Sequence, residues 1–248
     1  MSKIVTNIIP NTKISDLIVA YPNTITVLER LNIPFGFGEK RITEVAADHS
    51  INTQAFLSIL QIFSEKYIGE IILKKEAIRD LLIFLRASHL YFKEKQIPEL
   101  KNLIQLFSET ISPKYGMMLV SFFDEYIREV NEHFFYEDET VFPYIESVLN
   151  QQSSFQSFAI REFEKNHSDI EQKLLDLKHI LIKYVPEDAI SSHRIQILKL
   201  LKILEDDLLY HSMVEDFLLV PSIKQIEKER KGKKQRDYNA DVETNSNC

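Results

Sequence analysis

Two stretches of the chain carry the same polar phrase at the same spacing. HFFYEDETVFPYI occupies positions 133–145, and HSMVEDFLLVPSI occupies 211–223. Each begins with His, has Glu-Asp at the fourth and fifth following positions, and places Pro ten residues after the His. Residues four apart stack on one face of a helix, so His133 would share a face with Glu137, and His211 with Glu215. Their neighbours in sequence are mostly apolar, and a buried carboxylate is costly unless it is paired or holds a cation. Seven histidines and 37 acidic residues in 248 positions give about one His with an acid four places on by chance. The doublet alone therefore decides nothing; the longer shared phrase carries more weight. Imidazole with carboxylate suits iron, with manganese and zinc as rivals.

Two further histidines fall in long helical patterns: His89 in the first and His167 in the third. Counting about 1.5 Å per residue from the expected turns places His133 and His167 at matching depths. His211 comes out about two helical turns off, within the error of guessed helix ends. Four imidazoles and two carboxylates would then form one layer able to hold two metal ions. Each glutamate has two oxygens and could bridge both ions. The provisional pairing puts His89 with His133 on one ion and His167 with His211 on the other. His179 lies about 18 Å along the helix from His167, and His193 about 27 Å before His211. His49 lies near the N-terminus. These three read as surface or structural.

The elements needed to position such a layer are legible. Gly is scarce at 5 and Pro at 8, helix formers abound, and hydrophobic residues make up 44%. This composition reads as an all-α protein. Apolar spacings of three and four mark helices over about 74–95, 115–149 (interrupted by Pro143), 155–184 and 188–222, with a shorter one possible at 100–109. Four such helices on short connections make an up-down-up-down four-helix bundle. A small helical N-terminal domain precedes it, with a helix running through LIVAYPNTITVLERL and a cap at Ser15 or Asp16. The expected boundaries are 1–68 for that domain, 72–224 for the bundle and 225–248 for a polar, disordered tail.

The remaining composition narrows function by exclusion. A net charge of -7 offers no general attraction to nucleic acid or anionic membrane. The basic run KERKGKKQR at 228–236 sits in the expected tail and reads as solvated. The one cysteine, Cys248, rules out an internal disulfide and a cysteine-held cluster or zinc within one chain. No signal peptide or spanning segment is evident, so a cytoplasmic location is expected. No nucleophile elbow, phosphate loop or dinucleotide glycine pattern is present. Whether the protein is an enzyme stays open at this point.

His89, HFFYE, His167 and HSMVE on a four-helix bundle together resemble the hemerythrin-like (HHE) di-iron domain. The stretch DLIVAYPNTITVLERLNIPFGFGEKRITEVA resembles the small domain at the front of the RIC proteins, for repair of iron centres. The two resemblances cover roughly residues 15–224. They imply two iron ions, oxo- or hydroxo-bridged, held by His89, His133, Glu137, His167, His211 and Glu215. They also imply protection or repair of iron–sulfur clusters under nitrosative or oxidative stress, by iron donation or by O2 or NO chemistry. Damaged iron–sulfur proteins would be the clients, with no nucleic acid and no membrane as partners; oligomeric state is not readable. Two departures qualify this. Where RIC proteins usually read Phe-Cys-Cys-Gly-Gly, this chain reads Phe35, Gly36, Phe37, Gly38 and Glu39, so thiol chemistry does not carry over. Oxygen-carrying hemerythrins use five histidine ligands, and this chain offers four, which leaves room for a small ligand. The alternative is a hemerythrin-like O2 or NO sensor or scavenger without repair activity.

Overall fold

The computed structural model describes residues 7–64, 69–150, 160, 168–186, 191–230 and 232. Four short helices come first: α1 (Ile14–Ala20), α2 (Thr24–Arg30), α3 (Ile42–Asp48) and α4 (Thr53–Phe63). The helix expected across Pro22 is therefore two helices, broken at Tyr21–Asn23, and the residue capping α1 is Lys13 rather than Ser15 or Asp16. Asn52 caps α4 by accepting from the N–H groups of Gln54 and Ala55. Among the described residues the one β pairing is an isolated bridge between Lys13 and Arg41.

Six further helices build the bundle: α5 (Lys75–Tyr91), α6 (Ile97–Ser108), α7 (Pro113–Tyr136), α8 (Phe142–Leu149), α9 (Ser168–His179) and α10 (Ser191–Val214). They are joined into longer rods by π-helical turns. Phe92–Gln96 links α5 to α6, and Glu137–Val141 links α7 to α8. Ile180–Tyr184 extends α9, and Glu215–Leu219 carries α10 into a helical stretch at 220–230. Side-chain contacts give the rod directions. Along the first rod, Lys75, Arg86, Lys93 and Lys101 meet Leu149, Glu146, Asp138 and Asp124. Rising numbers meet falling ones, so the first two rods are antiparallel. The same order relates first to fourth, through Leu73 with Ser222 and Gln96 with Asp207. Among the described residues the fold is the expected all-α, up-down bundle. Among the described residues no helix is long and apolar enough to cross a membrane.

Each widened turn has the same cause. Pro98, Pro143, Pro186 and Pro221 each lie two residues past the last residue of a π turn. Proline has no N–H and its ring crowds the carbonyl four residues back, which pushes the turn open. The residue before each proline then donates its N–H to the carbonyl five residues earlier. Ile97 reaches Phe92, Phe142 reaches Glu137, Val185 reaches Ile180 and Val220 reaches Glu215. The expectation that the first helix ends near Pro98 is thereby corrected, since the rod continues through it to Ser108. The fourth rod also runs on to 230, into the expected tail. At Pro221 the carbonyl it cannot serve, that of Phe217, accepts from Ile71 N–H at 2.9 Å. Beside it, Ser222 Oγ accepts from Leu73 N–H at 2.8 Å. These bonds fasten the segment ahead of α5 to the fourth rod.

The apolar core has two parts. One joins the N-terminal helices to the near end of the bundle, from Ile14, Val27 and Phe56 to Leu85, Val141, Phe142, Val214 and Leu218. The other fills the far end, with Phe92, Phe107, Phe123, Phe134, Leu177 and Leu204. Between them, on three of the rods, lies a buried polar layer containing His89, Glu137, Asp207, His211 and Glu215.

Candidate metal centre

Glu137 and Glu215 are both 0% exposed, and His89 and His211 are nearly as deeply buried. Each glutamate is the first residue of a proline-induced π turn. This accounts for the repeated phrase. The His and Glu lie four apart on one helical face, and the proline six residues after the glutamate opens the turn that starts there. Such turns occur preferentially at functional sites.

The rods bring the donors together across the polar layer. His89 Nε2 lies 2.9 Å from one oxygen of Glu137, and His133 Nε2 lies 2.9 Å from the other. His89 Nε2 and His211 Nε2 are 3.2 Å apart. His211 Nε2 lies 3.5 Å from Glu215. Donors about 2.1 Å from a common cation sit about 3.0 Å apart at octahedral angles and about 3.4 Å at tetrahedral ones. The observed separations match that range. His89, Glu137 and His211 present donor atoms that all lie within 4.8 Å of one another, a group that could hold a metal ion. His89 and His133 meet opposite oxygens of Glu137, and His89 also approaches His211. His167 lies outside the described residues. His49 is exposed, and His179 and His193 are half-buried and outside this group.

The imidazole of His89 is fixed from three sides. Phe134 and Phe142 stack on it, at 4.3 Å and 5.5 Å between ring centres. Its Nδ1 lies 3.0 Å from Asp138, the residue after Glu137. With Nδ1–H donating to that carboxylate, Nε2 is left to offer a lone pair toward the cluster. Lys93 holds the other Asp138 oxygen at 3.3 Å. Burial disfavours the charged form of His89, yet its hydrogen bonds to Asp138 and Glu137 outweigh this and raise its pKa to about 8. Burial likewise works against the Asp138 carboxylate, and its bonds to His89 and Lys93 overcome it and hold the pKa below the ordinary value. An incoming cation must displace the His89 proton, so metal uptake releases protons.

Replacing Asp138 with alanine is expected to weaken metal binding roughly 10- to 100-fold with little change in fold, because it frees the tautomer and the ring. A competition titration against a chelator would measure this. An unchanged affinity would show that Asp138 is only a solvated neighbour.

A family model described as the hemerythrin HHE cation binding domain matches residues 80–223. A search of curated proteins finds no match to the chain.

Proposed function

Because that match spans more than half of its length, the chain belongs to the hemerythrin HHE cation-binding family, and we propose that it is a nonheme di-iron protein. In this reading His89, His133, Glu137, His167, His211 and Glu215 would hold the ions, and each glutamate has two oxygens that could serve both. The observation that supports it best is the pair of fully buried carboxylates, delivered by two different rods into one layer with imidazoles. Burying a carboxylate costs several kcal/mol unless its partners offset it, and a bound cation would add to the offset that the imidazoles supply. A bound iron pair would supply open positions for a small ligand such as O2 or NO, and electrons to exchange with it.

The protein's own groups shape that chemistry. Phe134 and Phe142 keep water from the faces of the His89 ring. Asp138 carries the negative charge that holds the His89 proton on Nδ1, and Lys93 keeps Asp138 in place. The turn geometry places Glu137 between two imidazoles.

The biological role we propose is protection or repair of iron–sulfur clusters under nitrosative or oxidative stress. Support comes from the resemblance of the N-terminal stretch to that of RIC proteins; iron is then cargo delivered to a damaged client. The test is to incubate the iron-loaded protein with an iron–sulfur enzyme inactivated by NO or peroxide. Recovery beyond that given by the same amount of free ferrous iron supports repair. Recovery no better than that counts against it.

A second reading, sensing or scavenging of O2 or NO without repair, is favoured by the loop at 35–39. Gly36 adopts φ 108 there, a region that side-chain-bearing residues rarely enter, so a cysteine at 36 would strain this conformation. Reversible spectral changes with O2 or NO, without release of iron, would favour this alternative.

A further inference from the structure

One guanidinium from the N-terminal helices reaches the polar layer of the bundle. Arg30, the last residue of α2, is 5% exposed. Its Nη1 donates to Asp207 at 2.9 Å and to Ser88 Oγ at 3.1 Å, and its Nη2 donates to the other oxygen of Asp207. The ion pair is buried, with side-chain exposures of 1% and 8%. The guanidinium also lies over the rings of Tyr91 and Phe92, at 4.9 Å and 4.8 Å. Gln96, at the end of the π turn that Phe92 begins, donates to Asp207 at 3.1 Å.

The residues it grips have a common property. Ser88 immediately precedes His89. Asp207 precedes His211 by four residues, about 6 Å along the same face of α10. The two rods held by this one side chain are thus those whose histidines approach to 3.2 Å. A simple surface tether would not need to reach this layer, since Glu29 with Lys95 and Asn23 with Tyr210 already join the N-terminal helices to the bundle.

We infer that Arg30 is a positioning residue for the metal centre: through Ser88 and Asp207 it sets the separation of His89 and His211, and so makes the N-terminal helices part of the site. The planar fork matters as much as the charge. Lysine keeps the charge but offers a single point, which cannot serve both Asp207 oxygens and Ser88 in one geometry. The inference rests on the metal reading proposed above.

The test uses the full-length, iron-loaded protein, with azide as the probe of open metal positions. Arg30→Lys is expected to retain its iron while its azide dissociation constant rises roughly 2- to 30-fold and its visible absorption shifts. A second variant, Arg30→Met with Asp207→Leu, removes both charges and keeps an apolar fit. It should remain folded and show the same weakened azide binding, and it decides the matter if Arg30→Lys fails to fold. Wild-type azide affinity and absorption in either folded variant, at equal iron content, would overturn the positioning role and leave the metal reading standing. A wild-type protein that takes up no iron would overturn both.

Discussion

Glu137→Gln is expected to cost the metal-loaded protein far more stability than the metal-free one. Glutamine keeps the shape and removes a charge that is 0% exposed. Without metal, the change should be small, because relief from burying a carboxylate is set against the loss of its contacts with His89 and His133. With metal, the wild type should be clearly the more stable. A cation that binds only the folded state adds roughly 2.7 kcal/mol when its free concentration is about 100 times its dissociation constant. For a chain of this size that corresponds to roughly 5–11 °C in melting temperature. The variant should lose this gain, and its iron affinity should fall by more than the roughly 10- to 100-fold typical of a supporting residue. Melting curves with and without ferrous iron under anaerobic conditions, together with iron content, would measure both. His179→Ala is the matched control and should leave iron content and melting unchanged. If it empties the protein as thoroughly as Glu137→Gln, the ligand assignment is wrong.

The second large effect concerns the buried ion pair. Arg30→Met should leave the Asp207 carboxylate buried with Gln96 as its remaining donor. Removing one member of a buried pair typically costs about 3–5 kcal/mol, equivalent here to a drop of roughly 6–20 °C in melting temperature. Adding Asp207→Leu should recover most of the loss, because neither charge then remains. Urea unfolding of the single and double variants would measure the difference. A single variant as stable as the wild type would show that Asp207 finds another partner or water.

The parts of this account that sequence made legible are those written in local periodicity. Apolar spacing revealed the long helices, and the duplicated His-Glu phrase pointed to Glu137 and Glu215. The end of the first helix is misplaced near Pro98, because that proline widens a turn and lets the rod continue, as Pro143 does inside the second helix; the outcome depends on whether neighbouring helices hold the two halves in line. Which imidazoles share an ion is not legible from spacing, because it depends on the rotation of each rod about its axis. In the sequence Asp138 is marked only by its place after Glu137; its contact with His89, 49 residues away, needs the fold. Arg30 and Asp207 left no sequence signal. They are 177 residues apart, each in an unremarkable helical setting, and only the docking of α2 on the bundle joins them.

The most direct measurement is an anomalous difference map, collected at the iron absorption edge, from crystals of protein loaded with ferrous iron under anaerobic conditions. Two adjacent peaks are expected inside the polar layer, in contact with Glu137 and Glu215 and flanked by His89, His133 and His211. A layer without anomalous density in iron-loaded crystals, or peaks confined to the protein surface, would contradict the di-iron assignment.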